Sequence, residues 1–287
     1  MAMVATLPSR SPWFERLGPR EAQTPLVCAV PHAGRFYPPA LLAASAVPES
    51  VLEQLEDRHA DLLIAHMIEG GAVAIVARVA RAWIDLNRGE EDLEPALRDP
   101  PGSGPPQTPR ARSGLGLLPR RVGRRDLWRE PPSAESAAAR IATIHRPYHA
   151  AVAQALDDAC RRFGHAVLID CHSMPTLGGL RPARIVIGDG HGRSAGKSVA
   201  AAVAMTAREL GYTAALNAPY AGAHGIARHG RPAYNVHALQ IEVDRALYLD
   251  GDMRTPSSGL ERTQKLVAAL ARSAIAATQP PFAIAAE

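Results

Sequence analysis

Short apolar runs alternate along the chain with longer stretches whose apolar positions recur every three or four residues, the pattern of repeated βαβ units. The short runs predict strands over 26–30, 72–76, 83–86, 166–170, 184–187, 214–217 and 238–243. Several are apolar at successive positions, as strands buried on both faces are. Helical spacing predicts helices over 49–69, 133–163 (interrupted near Pro147), 194–210 and 259–277. The last follows Thr255-Pro256-Ser257-Ser258, a suitable capping region. The expected fold is α/β: a mixed, mostly parallel central sheet with helices on both faces, in one domain spanning 1–287.

One segment resists this pattern. Residues 95–132 hold nine prolines and eight arginines. Proline fixes φ and removes a donor, so neither a long helix nor a central strand can form there. A lid-like or disordered loop is expected.

Composition adds exclusions. Of 287 residues, 47% are hydrophobic and 21% charged, which suits a globular core and excludes a disordered chain. The net charge is only +4, and the arginine-rich segment carries a single aromatic residue, Trp128, so no nucleic-acid partner is expected. Cys28, Cys160 and Cys171 cannot all pair and show no CxxC spacing, which reads as reduced thiols. The first residues carry no apolar run before a small-residue cleavage site, and no stretch is long enough to span a bilayer. A cytoplasmic protein without a membrane partner is the expectation.

In open α/β sheets ligands collect beyond the carboxyl ends of the strands. The residues there are rich in acid, base and ligand types: Pro31-His32-Ala33-Gly34, Asp85-Leu86-Asn87-Arg88, Cys171-His172-Ser173, and a last strand reading Leu239-Gln240-Ile241-Glu242-Val243-Asp244. Two strand-end histidines and a carboxylate from Glu56-Asp57-Arg58-His59 would make a catalytic zinc site, with three protein ligands and one open position. By period two, Glu242 shares a polar face with Gln240 and Asp244, as a general base facing a cleft would.

These motifs, taken with Arg146-Pro147-Tyr148-His149, Asp170-Cys171-His172-Ser173-Met174-Pro175 and Gly188-Asp189-Gly190-His191-Gly192, resemble the N-formylglutamate amidohydrolase family in order and spacing over most of the chain. The resemblance implies a zinc-dependent amide hydrolase with a core similar to the zinc carboxypeptidases and aminoacylases. It implies His32, Asp57 and His172 as ligands of one Zn²⁺, with Glu56 and His59 as alternatives to Asp57. Glu242 is then the catalytic base, and Asn87 with Arg88 grips a substrate carboxylate through the planar guanidinium fork. Asp85 would orient Arg88 or end a hydrogen-bond chain. His224 and Arg228, in a glycine-rich stretch that also looks like family sequence, would polarise the acyl carbonyl or bind a second carboxylate. His145 and His149, on either side of Pro147, are expected to point differently from residues of a regular helix and to be structural or to support the ligands from behind, not to ligate. The implied reaction splits an N-acyl amino acid, above all N-formyl-L-glutamate, and a place in histidine degradation rests on the resemblance only. Another N-acyl amino acid is the alternative substrate.

A competing assignment comes from Gly196-Lys197-Ser198, which opens a helix as a phosphate-binding loop does. That pattern needs glycine at 191, where this chain has histidine.

Overall fold

The computed structural model describes residues 12–278. Seven strands form one sheet: β1 Phe14–Leu17, β2 Leu26–Val30, β3 Val73–Ala77, β4 Ala166–Met174, β5 Ile185–Gly188, β6 Ala214–Leu216 and β7 Val236–Asp244. Their order is β1-β3-β2-β4-β7-β5-β6. The β3/β2, β2/β4, β4/β7 and β5/β6 pairs are parallel; edge strand β1 and the β7/β5 pair are antiparallel. The mixed, mostly parallel sheet expected from the alternation is therefore present.

Helices cover both faces. The principal ones are α1 Ala134–Arg140, α2 Arg146–Phe163, α3 Lys197–Glu209, α4 His224–His229 and α5 Leu260–Ala276. On one face Tyr148, Val152 and Leu156 of α2 pack against Val27, Ile75, Leu168 and Ala238. On the other, Val199 and Val203 of α3 and Leu266 and Leu270 of α5 pack against Cys28, Val76, Ile169 and Ile241. Alternate residues of each central strand thus feed two cores, which is why those strands are apolar at successive positions.

Several expectations need correction. Residues 83–86 form turns, not a strand, and the sheet gains β1 instead. The helix expected over 49–69 is broken into Glu49–Leu52, a 3₁₀ turn Glu53–Leu55, Ala60–Leu63 and Ala65–Glu69. The break has a local cause: Glu56 is extended and His59 adopts a left-handed conformation at φ 59°. Residues 134–163 are helical throughout after the N-cap Ser133, and the interruption near Pro147 is the π turn Ile141–His145. Widening the helix just before proline accommodates its missing N–H and its ring.

The 95–132 segment is partly built. It contains the short helix Pro109–Arg112 and a two-stranded ribbon, Arg121–Val122 with Arg125–Asp126. Leu117 enters the α2-side core, while Val122, Leu127 and Trp128 bury against Leu41 and Leu52. Apolar residues interspersed among the prolines anchor it.

Candidate active site

The α2-facing side of β4 and β7 changes character along its length. Ala166, Leu168, Val236 and Ala238 lie in the core, whereas Asp170, His172, Gln240 and Glu242 follow on the same side. Parallel pairing puts Asp170 beside Gln240 and His172 beside Glu242. The polar half of this face closes the bottom of a cleft of about 430 Å³, whose walls include His32, Asp57, Arg81, Asn87, Arg88, Arg110 and Arg245.

His32 arrives directly after β2. The Gly34 that follows is sterically required, because a Cβ there would sit 1.9 Å from the carbonyl oxygen of Val79. Asp57 lies in the helix break. Its backbone N–H donates to the His32 carbonyl at 3.0 Å, which locks the two segments together. One Asp57 oxygen, Oδ2, faces both imidazoles, 2.8 Å from His172 Nδ1 and 3.3 Å from His32 Nδ1. Its other oxygen accepts from Arg245 Nη2 at 3.1 Å. The rings of His32 and His172 meet edge to face with centroids 4.7 Å apart.

Outer groups set the orientation of both rings. His32 Nε2–H donates to Asp85 Oδ1 at 2.7 Å, while Arg81 Nε donates to Asp85 Oδ2 at 2.8 Å. His172 Nε2 lies 3.3 Å from Asp170 Oδ1 and 3.1 Å from Asn87 Nδ2. Because its Nε2 is committed to a carboxylate, neutral His32 presents a lone pair at Nδ1, and that buried atom has no hydrogen-bond partner. Asp85 behind His32 is the arrangement that fixes an imidazole's tautomer at metal sites.

The electrostatics follow from this crowding. Burial works to raise the Asp57 carboxyl, but the imidazoles of His172 and His32 hold it well below the usual range. Burial opposes charge on His172, yet Asp170 and Asp57 keep its affinity for a proton well above normal. Burial likewise pushes Asp85 up, and Arg81 and His32 overcome it. Glu242 goes the other way: burial raises it, and its main partner is the Gln240 amide, which donates at 2.7 Å. A buried site this rich in carboxylates and imidazole lone pairs favours a cation at its centre.

The expected residues fall into two groups. His32, Asp57 and His172 can each direct one ligand atom to a common point, those atoms lying within 4.8 Å of one another. Asn87, Arg88 and Glu242 share their cleft. Glu56 is instead taken up by Tyr37 and Arg58, and His59 by the Arg254 carbonyl. Asp85 holds His32 and Arg81 more closely than Arg88, whose Nε is 3.7 Å away. Asn87 is buried and internally committed, donating to Gln240 Oε1 and accepting from the Gly225 N–H.

His224 and Arg228 do not line the cleft. They lie one helical turn apart on α4, where Arg228 is exposed and His224 packs against the rings of His145 and His149. Those last two rings meet edge to face with centroids 4.5 Å apart, one closing the π turn and the other on the α-helix that follows it, so the departure from a regular helix expected near Pro147 is present. Not singled out from the sequence were Arg81, Arg110 and Arg245, while Gln240 was placed on the polar face of the last strand without a role. Arg245 directly follows the last strand, where the strand-end rule could have found it. Arg110 gave no signal within its proline-rich surroundings.

In the loop from Gly188 to α3 several backbone donors are already committed within the protein. The Gly192 N–H donates to Asp189 Oδ1 at 2.9 Å, the Asp189 N–H to Asn217 Oδ1 at 3.1 Å and the Gly196 N–H to His237 Nδ1 at 3.0 Å.

Residues 24–249 match the family described as N-formylglutamate amidohydrolase. The chain belongs to that family. It is 31% identical over 244 residues to an N-formylglutamate deformylase of Pseudomonas aeruginosa, covering 82% of this chain and 86% of that protein. A second N-formylglutamate deformylase, from Pseudomonas putida, is 28% identical, with 80% and 84% covered. Among solved structures, an N-formylglutamate amidohydrolase from Ralstonia eutropha JMP134 superposes with a TM-score of 0.82 at 32% identity, covering 92% of this chain and 98% of that one. A gene product from Agrobacterium tumefaciens shares the fold, with a TM-score of 0.62 at 17% identity over 89% of this chain and 92% of that one. The family member described here is accordingly a hydrolase of amide bonds, and no helix among its described residues is long and apolar enough to cross a membrane.

Proposed function

We propose that this amidohydrolase removes the formyl group from N-formyl-L-glutamate, releasing formate and L-glutamate, with one Zn²⁺ held by His32, Asp57 and His172. The observation that carries the assignment is the convergence of the two Nδ1 atoms on Asp57 Oδ2, with Glu242 in the same cleft. The names of the relatives in Pseudomonas and Ralstonia support the substrate.

The donor set fits the ion. Two neutral imidazoles and one carboxylate suit zinc and leave room for a fourth ligand. A zinc ion held there acidifies water and polarises the formyl carbonyl. The protein's own groups handle protons and position. Glu242, raised by burial, accepts the proton of the attacking water at its carboxylate and returns it to the departing nitrogen. Arg88 holds a substrate carboxylate; two of its nitrogens are fixed by the carbonyls of Leu115 and Asn87, which sets the plane of the guanidinium. Arg110, carried by the 95–132 segment, lines the cleft and meets the second carboxylate, so that segment serves as a partial lid.

The test is metal analysis with turnover of N-formyl-L-glutamate, N-acetyl-L-glutamate and N-formyl-L-leucine. Zinc-dependent hydrolysis preferring the first is expected. Failure of the metal-loaded protein to cleave it, or preference for the leucine derivative, would overturn the assignment.

A further inference from the structure

Behind Arg88 lies a second cluster of imidazoles that the proposed reaction does not use. His145 closes the π turn, His149 lies one turn further on α2, and His224 opens α4. One ring nitrogen from each lies within 4.8 Å of the others. His145 and His149 are each only 1% exposed.

The hydrogen bonds around these rings fix where their lone pairs are. The outer nitrogen of His145, Nε2, is 2.8 Å from the backbone carbonyl of Arg88, which can only accept. Nε2 must therefore carry the hydrogen, and Nδ1 of neutral His145 is a bare lone pair. For His224 the Nδ1 side faces the Glu91 carboxylate at 3.9 Å, which favours hydrogen there and a lone pair at Nε2. For His149, Nδ1 lies 3.0 Å from His229 Nε2, so donation outward leaves Nε2 bare. The three inward atoms, His145 Nδ1, His149 Nε2 and His224 Nε2, are buried and have no hydrogen-bond partner. Each such buried atom is costly if left unsatisfied, and three lone pairs meeting in one place also repel.

We propose that His145, His149 and His224 form a second metal site, built for a divalent ion that favours imidazole, such as Zn²⁺. The Arg88 carbonyl, His229 and Glu91 behind the rings play the part that outer acceptors play at other metal centres. The π turn is the device that assembles it, since π turns recur where a helix must redirect side chains for function. An ion here joins the start of α2 to the start of α4. It thereby fixes two parts of the cleft, the Arg88 backbone and the Pro219–Ala223 stretch preceding His224.

The test counts metal in the full-length protein and does not depend on activity. Chelated protein is titrated with Zn²⁺ alone against a chromophoric competitor, then with Co²⁺ alone while visible absorption is recorded. The wild type should take up two equivalents, Asp57→Ala one, and His224→Ala one. The double variant should take up none. Cobalt bound to Asp57→Ala should give an absorption spectrum that vanishes when His224→Ala is added. His224 is the least buried ligand, and His149→Gln, checked by circular dichroism, is the second variant. One equivalent in the wild type, unchanged by either histidine substitution and lost with Asp57→Ala, would show that the cluster holds water and would overturn the second site alone. Loss of the Asp57-dependent equivalent with retention of the histidine-dependent one would overturn the first site and leave this one standing.

Discussion

Glu242 is the residue whose role can be tested most sharply, because its surroundings separate proton transfer from folding. Its carboxylate is tied to the Gln240 amide and lies beside His172 in register, outside the set of three converging ligand groups. Glu242→Gln keeps volume and hydrogen bonding but cannot accept a proton. The expected outcome is unchanged metal content with a kcat lowered by roughly 10²–10⁴, measured by steady-state kinetics beside metal analysis. A variant that keeps near-normal turnover would remove Glu242 from the mechanism. Arg88 poses a different question, since its plane is set by two carbonyls and its charge faces the cleft. Loss of a charge-assisted bond is worth about 1.5–3 kcal/mol, so Arg88→Ala should raise KM for N-formyl-L-glutamate by roughly 10- to 100-fold. N-formyl amides without a carboxylate should be hydrolysed as before. Equal damage to both substrates would mean that Arg88 supports the site only structurally.

At the scale of elements, the site depends on two irregularities that keep helices from being regular. The extended Glu56 and left-handed His59 break one helix and deliver Asp57 to His32. The π turn at Ile141–His145 brings His145, His149 and His224 together with His229 behind them. Burying four neutral imidazoles has a pH consequence. Burial, with Arg228, His224 and Arg231 nearby, pushes His229 down to about 3. The unfolded chain, with a histidine value of about 6.5, binds that proton more readily. Between those values the unfolded state is favoured by protonation, so stability is full above about pH 6.5 and falls as pH drops toward 3. The urea midpoint of chelated protein should accordingly be lower at pH 5 than at pH 7.5, and His229→Gln should shrink the difference. An equal pH dependence in the variant would assign the effect to other groups.

For the molecule as a whole, what could be read from the chain and what could not divide along physical lines. The alternation of short apolar runs with helical spacing sufficed for the mostly parallel sheet, because burial on both faces leaves a mark at every position of β2 and β3 and at the first four of β4. His32, His172 and Glu242 were legible as polar residues at or near the carboxyl ends of such runs. Asp57 was legible as a candidate but its geometry was not, since only a broken helix brings it inward and the spacing of 49–69 looks unbroken. Arg81 and Arg110 were invisible because an arginine's partners are set by tertiary contacts, and the histidine cluster because a π turn has no period of its own. The same long-range assembly makes the metal a fold-wide matter. His172 and Asp57 are 115 residues apart in sequence, and His32 comes from a third segment, so an ion at this point links β2, the helix break and β4. Binding restricted to the folded state stabilises it by RT ln(1 + [L]/Kd), about 4 kcal/mol when free ion is a thousandfold above Kd. In a chain of this size that corresponds to a melting temperature higher by roughly 7 °C. Chelation should therefore abolish turnover and lower the melting temperature together, with Zn²⁺ restoring both. Asp57→Ala should show a smaller chelator effect, because one of its ions is already gone. A wild type whose melting temperature ignores chelation, while calorimetry shows the ion bound beforehand, would mean that the ligand segments are held in place without it.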